Sequence, residues 1–205
     1  MSTLKERAAR LFAALLCAAA VSNGAQAIPM VYGFDELDDY TPLSTQYAGL
    51  SFNQAAVLKA GATLNESAFP PRSLDGAVVD DGGMITIDFS MPVYSVGAYF
   101  TYMNGLTFSA YDAGGMLLDT VTGAYLANLA DGSGDAGSSP NEFLQISNAG
   151  GLIARVSFAS DAAGYSLILD DLTVDAGTAI PEPSTGALMA AALCAALVYR
   201  RRRGS

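Results

Sequence analysis

The stretch Met84-Ile85-Thr86-Ile87-Asp88-Phe89 decides the fold. In an extended chain Ile85, Ile87 and Phe89 fall on one side and Met84, Thr86 and Asp88 on the other. That period of two marks a strand with one face buried and one wet. Ser90-Met91-Pro92 interrupts it, and a second strand-like run resumes over residues 93–101. Leu106, Phe108 and Ala110 then alternate with Thr107, Ser109 and Tyr111. The turn sequence Asp112-Ala113-Gly114-Gly115 leads into the apolar run 116–121, and the whole reads as a β-hairpin. Further runs lie at 143–147, 153–158 and 165–174, punctuated by Gly, Asp, Asn and Pro. Residues 53–60 and 124–130 read as short helices, and no longer helical period is present. Many short strands parted by turns predict an all-β domain, an antiparallel jelly-roll-like β-sandwich over residues 28–178.

Charge divides the chain into three. Of ten basic residues, Lys5, Arg7 and Arg10 lie at the start and Arg200, Arg201, Arg202 and Arg203 at the end. Only Lys59, Arg72 and Arg155 remain in between, against eighteen acids, so residues 28–180 carry about −15. Such a domain repels phosphate backbones, which excludes nucleic acid as a partner. Both cysteines, Cys17 and Cys194, fall in terminal apolar blocks, and the chain has no histidine and no tryptophan. Intradomain disulfides, thiolate catalysis, Ser-His-Asp triads and ordinary zinc sites are therefore unavailable.

Residues 1–27 read as a secretory signal: a basic start, an apolar run from Leu11 to Val21, and small residues Ala25 and Ala27 at the −3 and −1 positions for signal peptidase. The predicted mature N-terminus is Ile28. The other end, residues 179–205, has three parts in order. Pro181-Glu182-Pro183 keeps the chain extended. The uncharged, Ala- and Leu-rich segment 186–199 follows as a single transmembrane helix, short for a bilayer unless flanking arginines snorkel. The cluster Arg200, Arg201, Arg202, Arg203 then stops transfer and stays cytoplasmic. Both ends thus demand one topology: anchorage in the inner membrane with the domain on its periplasmic side.

The tail over 181–205 closely resembles the PEP-CTERM sorting signal of Gram-negative, exopolysaccharide-producing bacteria. The resemblance implies recognition of Pro181, Glu182 and Pro183 by an exosortase, removal of the tail, and delivery to the cell surface or extracellular matrix. More loosely, Gly33-Phe34-Asp35-Glu36-Leu37, the segment from Tyr47 to Phe52, and Leu169-Asp170-Asp171-Leu172 look like the ectodomains that accompany such tails. That likeness implies a sandwich similar to carbohydrate-binding modules, in which a structural calcium often joins the first and last strands. Asp170 and Asp171, adjacent on the last strand with side chains expected on opposite faces, and Asp35 or Glu36 near the start, are the carboxylates for it.

Asp131, Ser133, Asp135 and Glu142 occupy positions 1, 3, 5 and 12 of an EF-hand-like loop, but Ala136 stands where glycine is needed, so a plain surface loop is the better reading. Nine tyrosines lie in 28–180, among them Tyr94, Tyr99, Tyr102, Tyr111 and Tyr125, and exposed tyrosine faces serve sugar binding as well as strand packing. The expected function is a non-enzymatic envelope or matrix protein that contacts extracellular polysaccharide or surface partners. A carboxylate-dependent glycan hydrolase or lyase, and a purely structural matrix component, stand as alternatives.

Overall fold

A computed structural model of the chain describes residues 28–177. The predicted signal segment with Ala25 and Ala27, the sorting motif Pro181-Glu182-Pro183, the 186–199 helix and the arginines Arg200, Arg201, Arg202 and Arg203 lie outside the described residues.

Twelve strands and no helix form among the described residues: β1 (Met30–Tyr32), β2 (Thr41–Pro42), β3 (Leu50–Asn53), β4 (Ala55–Lys59), β5 (Gly76–Asp80), β6 (Ile85–Val93), β7 (Ser95–Tyr102), β8 (Thr107–Tyr111), β9 (Leu117–Thr122), β10 (Glu142–Ser147), β11 (Ile153–Ala159) and β12 (Leu167–Asp175). They make two sheets with every pairing antiparallel. One has the order β10-β7-β12-β5-β4-β2, with β1 beside the far end of β12; the other runs β3-β6-β11-β8-β9. The all-β, two-sheet expectation holds, and β8 and β9 form the hairpin read from the sequence.

Alternation places the core. Ile85, Ile87 and Phe89 of β6, Val156 and Phe158 of β11, and Phe108 and Ala110 of β8 point inward from the five-stranded sheet. They meet Val96, Ala98, Phe100 and Tyr102 of β7 and Leu167, Leu169, Leu172 and Val174 of β12. Pro92, with no N–H to give, sits where β6 bulges: Arg155 faces Asp88 and Ile153 faces Val93, so four β6 residues oppose Ala154.

Two expected helices are corrected. Residues 55–59 are strand β4, buried on both faces, so the alternation that marks a strand is missing from its sequence. Its second face, with Ala77 and Val79 of β5 and Ile168 of β12, is covered by Leu64 and Phe69 of the segment between β4 and β5. Residues 124–130 are irregular because other groups take the N–H donors a helix would use. Asp135 accepts from Leu126 N at 2.7 Å, and the buried Asn128 pairs with β7 through both its N–H to Tyr102 O and its side chain to Tyr102 N and Phe100 O.

Gly164, at φ +82°, carries the chain past Gly82 so closely that an added Cβ would run into the Gly82 backbone. Gly164→Ala is expected to cost about 1–3 kcal/mol, from left-handed strain plus overlap with a neighbour that cannot rotate away. A lowered denaturant midpoint with unchanged slope is the measurement.

Candidate functional site

The two sheets differ on their outer faces. The seven-stranded sheet is partly roofed by the segment between β4 and β5, whereas no described segment packs over the middle of the five-stranded sheet. Outward positions there are set by register. Ser51, Asp88, Arg155 and Tyr111 stand side by side across β3, β6, β11 and β8. Asn53, Thr86, Ser157, Ser109 and Thr120 form the next row. A groove of about 450 Å³ runs over this face, lined among others by Thr86, Asp88, Tyr111, Asp112, Arg155 and Ser157.

Its electrostatic centre is an ion pair. Arg155 Nε donates to Asp88 Oδ1 at 2.6 Å, with both side chains about half exposed. The remaining guanidinium N–H groups and the second carboxylate oxygen are left to bond elsewhere. Ser109 and Thr120 share a hydroxyl bond at 3.0 Å. Asp112 shapes the rim: its Oδ1 accepts from Gly114 N at 2.8 Å and Met116 N at 2.9 Å, closing the β8–β9 turn. The face therefore offers the Asp88–Arg155 donor–acceptor pair, the Thr86 hydroxyl and the Tyr111 ring beside the apolar Met84, Ala113 and Ala154, while Ser109 and Ser157 are buried.

Sequence reasoning named Tyr111 but missed the Asp88–Arg155 pair. Both residues were legible as outward positions on strands, and Arg155 is one of only three cations in the domain. The missing part was register, which alone brings them opposite each other across β6 and β11. The other tyrosines scatter. Tyr102 is fully buried and donates to Glu142 Oε2 at 2.5 Å, and burial raises its hydroxyl's pKa well above the usual value. Tyr99 lies on the other sheet, under the Arg72 guanidinium at 4.7 Å and beside Phe143 at 5.0 Å.

The carboxylates assigned to calcium do gather. β12 bulges at Asp171, which has φ +50°, so Asp170 and Asp171 both reach Ser73; the expectation that they face opposite sides is corrected. Asp170 is fully buried and accepts from Arg72 N at 2.8 Å, Ser73 N at 2.7 Å and Asp171 N at 2.6 Å. Desolvation pushes its pKa up to about 6 against these amides, and the neighbouring Asp171 charge adds to the rise. Asp35 Oδ1 accepts from Asp75 N and Gly76 N. Asp35 Oδ2, Ser73 Oγ and Asp171 Oδ1 surround the space that a Cβ on Gly33 would fill. Among the described residues no group of three carboxylates is arranged to hold a metal ion. Two carboxylates and a hydroxyl around that cradle are nonetheless oxygen donors of the kind calcium takes, while Asp170 is already occupied by N–H groups.

The acids of the 131–142 loop serve separate turns. Asp131 accepts from Ser133, Asp135 from Leu126 and Ala127, and Glu142 from Tyr102 and Ala124.

Residues 179–203 match the PEP-CTERM protein-sorting motif. The chain carries this motif, which marks an exported protein that an exosortase processes and that is anchored in the membrane. Among solved structures, the chain is similar to the K2 cleaved adhesin domain of Lys-gingipain, at 12% identity over 71% of this chain and 97% of that one, with a TM-score of 0.45. It is similar to the K1 cleaved adhesin domain of Lys-gingipain from Porphyromonas gingivalis W83, at 10% identity over 74% and 100%, with a TM-score of 0.42. It is also similar to TmCBM61, solved in complex with β-1,4-galactotriose, at 15% identity over 67% and 98%, with a TM-score of 0.37. No curated protein matches the chain.

Proposed function

We propose that this chain is an exosortase-sorted protein of the cell envelope or extracellular matrix whose domain is a non-enzymatic, jelly-roll-like module that binds extracellular polysaccharide in the groove of the five-stranded sheet. On this reading signal peptidase cuts after Ala27. The 186–199 segment holds the chain in the inner membrane with the domain on the periplasmic side, and exosortase then passes it to the surface or matrix. The strand order supports the jelly-roll label: β10-β7-β12-β5 faces β6-β11-β8-β9, each sheet interleaving early and late strands.

The observation that carries the binding reading is the open groove of mixed polar and apolar lining with Arg155 and Asp88 paired in it and Tyr111 beside them. A glycoside hydrolase of the usual kind needs two carboxylates free to act on the two sides of the scissile bond. Of the groove's two acids, Asp88 is bound to Arg155 and Asp112 to its own turn, which favours binding over cleavage.

Retention of the full chain on the host's own exopolysaccharide tests this. The chain is expected to be retained without releasing new sugar ends. No retention, with or without calcium, overturns the reading in favour of a purely structural component. Release of reducing or unsaturated ends overturns it in favour of an enzyme. Calorimetric titration with calcium addresses the cradle beside Gly33. Heat that disappears in Asp171→Asn marks a calcium site there, and a flat trace marks carboxylates that serve only their N–H and hydroxyl donors.

A further inference from the structure

The groove has little positive charge to offer. Three cations stand against eighteen acids in the described domain. Lys59 is paired with Asp75 at 2.7 Å, on the other sheet. Arg72 is stacked on Tyr99, also on the other sheet. Arg155 alone lies in the groove, already bonded to Asp88, and Asp112 adds a second carboxylate to the lining. The groove is thus negative within a negative domain. A chain bearing uronate or sulfate groups is repelled on approach and meets, on arrival, a single cation that Asp88 already holds.

An uncharged sugar meets what it needs. Each sugar hydroxyl both donates and accepts, and the Asp88–Arg155 pair accepts and donates side by side. Ser51, Asn53, Thr86 and Thr120 continue that pattern on either side, while Ser109 and Ser157 are buried. The row from Ser51 through Asp88 and Arg155 to Tyr111 crosses four strands. Of that row Asp88, Arg155 and Tyr111 line the groove, with Ser51 just beyond it, so three strands about 4.8 Å apart underlie the groove and a pyranose ring covers about one strand. β3 and β9 are the edges of this sheet, so no further described strand closes the row at either end.

Building on the glycan reading of the groove, we propose that it takes a run of about three uncharged sugar rings from within a polysaccharide, laid across the strands, and excludes chains that carry carboxylate or sulfate.

Affinity electrophoresis of the full chain in detergent tests this, with gels containing a neutral β-glucan, a β-galactan, a mannan, polygalacturonate or alginate, each at low and at tenfold higher salt. The expected result is retardation by at least one neutral polymer, unchanged by salt, and by neither uronate polymer. Neutral oligosaccharides should compete more strongly up to about three rings and little beyond. Arg155→Ala and Tyr111→Ala should each weaken retardation by about tenfold or more, while Phe143→Ala, on the other sheet, leaves it unchanged. Retardation by a uronate polymer overturns the charge class, whether salt or a chelator relieves it, and leaves the glycan reading standing. Retardation by a neutral polymer that Arg155→Ala and Tyr111→Ala leave intact overturns the groove as the site. No retardation by any polymer overturns the neutral-chain proposal, and retention on the host's own exopolysaccharide then decides the glycan reading separately.

Discussion

Phe158→Ala is expected to lower the stability of the domain by about 3–5 kcal/mol, the full cost of deleting a buried aromatic ring. Phe158 is fully buried and stands opposite Phe108 on the neighbouring strand, ring centroids 4.8 Å apart. It also reaches across the core to Phe100 of the other sheet at 5.1 Å. The ring is therefore both a cross-strand and a cross-sheet contact, and its removal leaves a cavity that neither rigid sheet can collapse to fill. Domains of this size are stable by only about 5–15 kcal/mol, so one ring accounts for a large fraction of the margin. Phe158→Leu refills most of the volume and should cost less than about 1.5 kcal/mol. Urea midpoints of the two variants check this; equal midpoints would show that the ring does not bridge the sheets.

The second large effect belongs to Asp170. Its carboxylate is the acceptor for three backbone N–H groups, two of them from the segment that roofs the seven-stranded sheet. Asp170→Ala strands those donors in a buried place and should cost about 3–5 kcal/mol. The pH dependence has a definite sign. Folded Asp170 titrates at about 6 because burial disfavours its charge, against an ordinary value of 3.8. Between those values the folded chain holds the extra proton, so this group's stabilisation is full below pH 3.8 and is lost as pH rises through 6. Asp80 adds a slope of the same sign: it too is buried and its pKa raised by desolvation, although Ser166 and Leu167 donate to it. Asp170→Asn cannot titrate, so its stability should fall less steeply between pH 4 and 6, by up to about 1.4 kcal/mol per pH unit. An unchanged slope would show that Asp170 is already charged throughout that window.

What the sequence made legible follows from periodicity. β6, β8 and β11 alternate or end in clear turn residues, while β12 was readable as a long β-branched and Leu-rich run although Ile168 and Asp170 bury its second face as well. β4 and β5 did not announce themselves in the same way, because Ala56, Leu58, Ala77 and Val79 are buried beneath Leu64 and Phe69 on the face where a polar residue was expected. The groove was legible residue by residue and illegible as a site. Asp88 and Arg155 are 67 positions apart, and only the β6–β11 register, with its bulge around Pro92, brings them together. The same limit governed Asp170 and Asp171, whose shared side depends on one left-handed residue inside an otherwise extended strand.

The last strand has a mechanical consequence. β12 leads to residue 177 and is paired along one side with β7 and along the other with β5 and then β1. A pull on the C-terminal end enters the domain along that strand and loads both ladders at once, in shear, instead of unzipping an edge one bond at a time. The groove lies on the opposite sheet. Tension between that strand and anything held in the proposed groove would pass through the core between the two sheets, where Leu169 and Phe158 are both fully buried.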